Sequence, residues 1–165
     1  MTPTTACRQI IRSEDANSLV ELALIISFLG IPLLLGTTVM ATVIYGSIEI
    51  SNAAHAGAVY AMQSSTFAAN TSGIIDAAQS EAADFATALA VVPTTYYVCA
   101  NSITGTQYTG SNAQSNATTA CTGGGDHAVQ FVQVATSAVI SPRIHMPGLA
   151  STYTVKGVSV MEVEQ

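Results

Sequence analysis

The stretch LALIISFLGIPLLLGTTVMATVIYGSI, from Leu22 to Ile48, contains no charged side chain and lies between Glu21 and Glu49. As an α-helix it would extend about 40 Å, more than the roughly 30 Å hydrocarbon core of a bilayer. We therefore predict one transmembrane helix with its span at about 22–44. The residues before and after this span are then predicted to lie on opposite sides of the membrane.

The composition is that of a membrane or envelope protein. Of 165 residues, 49% are hydrophobic and 8% are charged, whereas about a quarter of the residues in a soluble globular chain are charged. The formal net charge is −6. This charge argues against nucleic acid as a partner, because proteins that bind nucleic acid present basic surfaces.

The basic residues determine the predicted orientation. Arg8 and Arg12 precede the hydrophobic stretch, and the next basic residue is Arg143. The positive-inside rule then places the N-terminus in the cytoplasm and the chain beyond the span outside the membrane. Cys99 and Cys121 both lie in this exported part, so we predict a disulfide between them, with two buried free thiols as the alternative. Cys7, in contrast, belongs to the cytoplasmic head.

Residues 1–16 form a polar leader that contains both N-terminal arginines. The apolar run that follows is about twice as long as the core of a cleavable secretory signal, so it is typical of an anchor. Glu21 stands at the edge of this run, and an ionisable residue at that depth is a candidate functional residue. The alternative is that Glu21 marks the cytoplasmic interface and is solvated by lipid headgroups.

A short motif joins this leader to the anchor. Ala16 is followed by NSLVELAL (Asn17–Leu24), which continues directly into the hydrophobic stretch. The motif resembles that of the TadE-like pseudopilins of the tight-adherence branch of type IV pili. Ala16 stands where glycine is commonest in that family, and Leu22 stands where an aromatic residue is usual. The alanine-rich segment Ile50–Ser65 and the closing segment Leu149–Glu164 are also similar to the family.

The resemblance implies a processed subunit of a bacterial pilus system. A prepilin peptidase would cut between Ala16 and Asn17, and Glu21 would become the fifth residue of the mature chain. The new amino group of Asn17 would lie against Glu21 of a neighbouring subunit and favour one axial register. The implied partners are the prepilin peptidase, other pilin-like subunits with the pilus assembly machinery, and the lipid bilayer. The implied location is the bacterial inner membrane, with the exported part periplasmic, extracellular or incorporated in a pilus.

One long helix is predicted over residues 17–64, because Pro32 is its strongest break and alanine dominates its second half. Pro32 should kink or locally loosen the helix within the membrane. Beyond the span, Ala53, Gly57 and Ala61 form a small-residue stripe, which lets another helix approach closely. Selection of alanine for helix propensity alone explains the stripe equally well.

Residues 65–165 are predicted to form an exported α+β domain. An amphipathic helix over 74–90 begins at an N-cap, Ser72, and ends before Pro93. The polar segment between the two exported cysteines lacks a core-forming run, and we predict a long loop tied by the disulfide. The helix would pack on a small antiparallel sheet of about three strands. These strands are Thr94–Asn101, His127–Thr136 and Ser151–Glu164, the last with a bulge near Gly157.

The sequence indicates no catalytic, metal or cofactor site. The histidines lack the spacing of metal ligands, and no GxSxG nucleophile motif is present. These histidines are His55, His127 and His145. We therefore predict that the protein is not an enzyme, and that it binds no metal and no cofactor.

The predicted function is that of a minor pilin-like subunit, processed by prepilin peptidase and involved in tight-adherence pilus assembly. The alternative is a permanently anchored envelope binding module with no role in a filament. The residue that discriminates between them is Glu21. A simple anchor should tolerate Glu21→Leu, whereas a pilin-like subunit should not.

Overall fold

The computed structural model describes residues 14–144 and 148–164. The predicted leader up to residue 13, with Cys7, Arg8 and Arg12, lies outside the described residues, as does His145. The described chain has an α+β fold with a long apolar helix, shorter helices and a three-stranded antiparallel sheet. The main elements are α1 (Glu14–Ile25), a π-helical turn (Ile26–Gly30), α2 (Ile31–Met62), α3 (Ser65–Ala69), α4 (Thr71–Glu81), β1 (Ala90–Cys99), α5 (Ala113–Ala120), β2 (Ala128–Ile140) and β3 (Tyr153–Glu162).

The elements α1, the π-helical turn and α2 follow one another directly and together form the long helix. The π-helical turn comes immediately before Pro32, which lies at the start of α2. Proline has no N–H, and its ring collides with the carbonyl four residues earlier in a regular α-helix. A wider turn, closed by a hydrogen bond from the Ile31 N–H to the Ile26 carbonyl, relieves this conflict.

The two halves of the long helix have different surroundings. The segment Asn17–Met62 has 46 residues and is long and apolar enough to cross a membrane, and none of its apolar window is buried within the chain. Burial is confined to the second half, where the helix packs on α4, β2 and β3. The buried residues are Val39, Gly46, Ile50, Ala53, Ala54, Gly57, Ala58 and Ala61.

The sheet has the order β1-β2-β3, with β2 in the centre and both pairings antiparallel. The predicted bulge near Gly157 is wrong, because β2 and β3 pair without interruption from Phe131–Glu162 to Ile140–Tyr153. The apolar pattern changes phase in β3 for a different reason. Gly157 takes a buried position, whereas Val158 and Val160 are exposed on the opposite, outer face of the sheet.

Gly157 allows the long helix and the sheet to approach closely. A Cβ atom at this position would lie 2.7 Å from the Ile50 carbonyl oxygen and 2.9 Å from the Ser51 Cα. The same crossing is fixed by Thr136, which pairs with Gly157 in the sheet. Its buried hydroxyl donates a hydrogen bond of 2.8 Å to the Ile50 carbonyl. The register of β3 on β2 is therefore coupled to the position of the helix.

The predicted amphipathic helix is shorter than expected and has a different N-cap. Helix α4 begins after Asn70, whose side chain accepts a hydrogen bond of 3.1 Å from the Gly73 N–H, while Ser72 donates to that same side chain. The helix ends at Glu81. Strand β1 then begins at Ala90 and includes Pro93. Proline is tolerated there because β1 is an edge strand.

The segment between Cys99 and Cys121, predicted as a long loop, contains helix α5. The prediction that it has no regular structure is therefore wrong. Its composition is polar, but Ala113 and Ala117 are buried. These alanines lie on the side of the sheet where Val98 is fully buried. The Cys99–Cys121 disulfide is present, with a Cα–Cα distance of 5.3 Å, and it confirms the predicted pairing. The bond holds the end of α5 against the end of β1.

Reduction of this disulfide should destabilise the exported domain. The bond closes a loop with a sequence separation of 22 residues, and in the chain-entropy model such a closure contributes about 3 kcal/mol. We expect the free energy of unfolding to fall by that amount in the Cys99→Ala, Cys121→Ala double variant, measured by guanidinium denaturation in detergent. Cys7→Ser serves as the control. Equal stability of the double variant and the control would contradict the expected contribution.

Candidate functional site

The first half of the long helix presents a continuous apolar surface. We call Leu19–Leu34 the uncovered segment, because its large apolar side chains are exposed, with Phe28 exposing 80% of its surface. Each such side chain gains about 1.5–3 kcal/mol when it is fully removed from water. The exposed side chains are Leu19, Val20, Leu22, Leu24, Ile25, Ile26, Phe28, Leu29, Ile31, Leu33 and Leu34. This surface is long and apolar enough to cross a membrane.

Glu21 lies within the uncovered segment, and its side chain is exposed in α1. Asn17 lies four residues earlier in the same helix, and residues at this spacing are neighbours on a helix surface. A carboxylate on an apolar surface is stabilised by a positive partner once lipid or protein replaces water around it. Such a partner is therefore needed wherever the uncovered segment enters an apolar bundle.

The residues of the predicted cleavage site lie at the beginning of the long helix. Helix α1 starts at Glu14, so the peptide bond between Ala16 and Asn17 falls in its first turn. The first four N–H groups of a helix have no intrahelical partner. Opening the chain at this bond therefore costs about one helical turn of hydrogen bonds, those that residues 18–20 donate to the carbonyls of residues 14–16.

The small-residue stripe is used within the chain. Ala53 and Ala61 are fully buried. A Cβ atom at Gly57 would lie 3.2 Å from Val134 Cγ1 and 3.3 Å from the Ile74 carbonyl oxygen. The stripe thus allows α4 and the sheet to approach α2, and this surface is already occupied by the exported domain.

The connection between β2 and β3 reaches the long helix beside the uncovered segment. A groove of about 440 Å³ is lined by Thr38, Val39 and Thr42 of the helix and by Pro142, Arg143 and Ile144 of the connection, among others. A second groove, of about 500 Å³, is lined mainly by apolar groups. These groups are Leu33, Gly36, Thr37, Met40, Ala41, Ile44 and Leu149. One face of the helix is therefore covered by the α+β domain from about Val39 onward, since Val39 is 2% exposed, whereas Met40, Ile44, Tyr45 and Ile48 remain exposed.

Glu49 is a structural residue that the sequence analysis did not single out. Its Oε1 accepts a hydrogen bond of 3.1 Å from the Asp84 N–H. Its Oε2 is buried without a hydrogen-bond partner among the described residues. The interaction joins α2 to the segment between α4 and β1, and its sequence separation of 35 residues leaves no local signal.

Asp126 lies next to the disulfide and has a capping role. Among the described residues, one cluster holds three potential metal-ligand side chains, and it consists of Cys99, Cys121 and Asp126. The two sulfurs are joined to each other. Asp126 Oδ1 accepts hydrogen bonds of 3.0 Å from the N–H groups of Asn101 and His127. The carboxylate thereby links the beginning of the disulfide-tied loop, at Asn101, to the segment just before β2.

The outer face of the sheet carries apolar side chains that the sequence analysis did not identify. Val92, Ala135 and Val158 are paired across the three strands in one row, and both valines are more than half exposed. The aromatic rings of Tyr96 and Phe131 stack on the same face, with their centroids 5.8 Å apart. The row between them contains the exposed Val160 but also the polar residues Thr94 and Gln133, so the apolar groups form two neighbouring clusters on this face.

Comparison with known proteins yields no match to a family model, to a curated protein or to a solved structure.

Proposed function

We propose that this chain is a minor pilin-like subunit of the TadE-like type, processed by prepilin peptidase and involved in assembly of a tight-adherence pilus. The proposal rests on one observation, the difference in exposure between the two halves of the long helix. One face of the second half is covered by the α+β domain, whereas the large apolar side chains of the uncovered segment, which carries Glu21, are all exposed. A chain with this division can insert one end of its helix into a bilayer or into a bundle of other helices.

The uncovered segment suits both of these environments. Lipid chains would surround it before assembly, and the helices of neighbouring subunits would replace the lipid afterwards. Apolar packing alone allows neighbouring helices to slide past one another along their axes, because lipid and leucine-rich surfaces make equally good contacts in many registers. A charge pair between Glu21 and the amino group that cleavage exposes on Asn17 of a neighbour would select one register.

The orientation that we propose rests on the basic residues of the leader, Arg8 and Arg12, and not on the fold. The N-terminal end, with its basic leader, remains in the cytoplasm, and the α+β domain with its disulfide lies in an oxidising compartment. The location that we propose is the bacterial inner membrane, with the domain periplasmic, extracellular or carried into a pilus.

The alternative function is that of a permanently anchored envelope binding module. The observation that favours it is the apolar patch on the outer face of the sheet, around Val92 and Val158. Patches of this kind are common at protein–protein interfaces. A binding module, however, requires neither removal of the leader nor a carboxylate in the uncovered segment.

Deletion of the chain from its host should remove tight-adherence pili from the cell surface. The reason is that a minor subunit is needed to build the filament, even though it contributes little of its mass. Pili would be counted by electron microscopy in the deletion strain and in a strain complemented with the intact chain. Normal pili in the deletion strain would contradict the proposal and favour the anchored module.

A further inference from the structure

The β2–β3 connection, described at residues 141–144 and 148–152, is positioned to meet a membrane surface. Its two described parts lie in the grooves beside the helix, with Arg143 and Ile144 in one and Leu149 in the other. The helix residues in these grooves extend from Leu33 to Ile44. They belong to the uncharged stretch that begins at Leu22.

The depth of this contact in a bilayer can be calculated from the rise per residue of the helix. If the cytoplasmic edge of the hydrocarbon core is at Leu22, a core of roughly 30 Å takes about 20 residues and ends near Ala41. The interfacial layer then continues for several residues and includes Tyr45, whose side chain is 65% exposed. Tyrosine is enriched at such interfaces. Arg143 and Ile144, beside Thr38 and Thr42, therefore lie at the outer edge of the hydrocarbon core, and Leu149 lies beside its outer half.

The chemistry of the connection matches that level. Ile144 is an apolar side chain that exposes 39% of its surface. Leu149 is half-buried against a groove whose lining is apolar and continuous with the uncovered segment. Arg143 is exposed and supplies a guanidinium group, which binds phosphate with two parallel hydrogen bonds.

We propose that the β2–β3 connection is a second membrane contact of this protein, in addition to the helix. Ile144 and Leu149 insert among the acyl chains at the outer edge of the bilayer, and Arg143 binds lipid phosphate groups. The inference rests on the proposed function, because it requires that the long helix spans a membrane. It adds that the exported domain is seated directly on the bilayer, so its tilt is fixed before any assembly.

The test uses the full chain in liposomes that contain phosphatidylglycerol and phosphatidylcholine. Cys7→Ser removes the free thiol, and an environment-sensitive fluorophore is attached to a single new cysteine at Ile144→Cys. Two control positions are labelled in parallel, Leu29→Cys in the uncovered segment and Val158→Cys on the outer face of the sheet. Fluorescence is quenched either by a doxyl group carried on lipid or by aqueous iodide.

We expect the label at position 144 to lose most of its fluorescence to the doxyl lipid, as does the label at position 29. The label at position 158 should lose its fluorescence to iodide instead, although Val158 is at least as exposed as Ile144 in the chain. Arg143→Glu should reduce lipid quenching at position 144, and Arg143→Lys should reduce it less, because lysine keeps the positive charge but not the two parallel hydrogen bonds.

Three results would contradict the inference or a part of it, and they can be told apart. Lipid quenching at position 29 together with iodide quenching at position 144 would remove the second membrane contact and leave the spanning helix intact. Iodide quenching at position 29 would show that the helix does not span the bilayer, and the proposed function would then fail with the inference. Unchanged lipid quenching in Arg143→Glu would overturn the role of the guanidinium group.

Discussion

Glu21→Leu should abolish incorporation of the chain into a pilus while leaving its amount in the membrane unchanged. In the assembled bundle the substitution would leave the amino group of Asn17 on a neighbouring subunit without its partner. Removal of one member of a buried charge pair typically costs about 3–5 kcal/mol. At about 1.4 kcal/mol for each factor of ten, this corresponds to a loss of more than about a hundredfold in affinity at each contact.

The fold should not suffer from this substitution, because Glu21 is exposed and the α+β domain contacts the helix only from about Leu33 onward. The measurement is the amount of the chain in sheared pili relative to the amount in membranes, both determined by immunoblot. Glu81→Leu is the matched control, since Glu81 is an exposed carboxylate of the exported domain. Glu21→Leu subunits that enter pili as efficiently as the control would contradict the proposed pairing.

Gly157→Ala should destabilise the exported domain by about 3 kcal/mol, the upper end of the range for overpacking of a filled core. The added Cβ would meet the backbone of α2, at the Ile50 carbonyl oxygen and the Ser51 Cα. Backbone atoms cannot move aside by a change of rotamer, so the helix and β3 must separate. This separation would also stretch the hydrogen bond from the Thr136 hydroxyl to the Ile50 carbonyl.

The free energy of unfolding would be measured by guanidinium denaturation of the full chain in detergent, followed by circular dichroism. Gly124→Ala is the matched control, because no atom lies within 4 Å of the position its Cβ would take. If Gly157→Ala and Gly124→Ala were equally stable, the close approach of α2 and β3 would be contradicted.

Much of the fold could be predicted because its signals are local. The long helix follows from one uncharged apolar stretch, and the three strands follow from runs of β-branched and aromatic residues. The Cys99–Cys121 disulfide is confirmed by the structure, and its prediction needed only the position of each cysteine before or after the apolar stretch. The α+β class and the antiparallel three-stranded sheet are confirmed as well.

The errors concern features that depend on contacts between distant residues. Helix α5 has a polar sequence, and it is stabilised by burial of two alanines beside the disulfide. Gly157 suggested a bulge because it interrupts the apolar alternation, but its smallness serves the crossing of α2 over the sheet. Thr136 and Glu49 gave no signal at all, since each binds a backbone group far away in the sequence.

In the candidate site, too, local features could be predicted from the sequence, whereas features that depend on distant contacts could not. Glu21 could be identified from sequence, because a single carboxylate beside an apolar run is conspicuous. The level at which the exported domain meets the helix could not, since it depends on where the β2–β3 connection crosses α2. Beyond that level one face of the helix is buried, at Val39, Gly46 and Ile50, while Ile44 and Ile48 stay exposed.

The central claim, that the chain is a processed pilin-like subunit, is tested most directly by its N-terminus in the native membrane. The measurement is the intact mass and N-terminal sequence of the purified protein, from cells with and without the prepilin peptidase. The account predicts loss of Met1 to Ala16 and a new N-terminus at Asn17 when the peptidase is present, and an intact leader when it is deleted. An intact leader in both strains would contradict the account and identify the chain as a permanently anchored envelope protein.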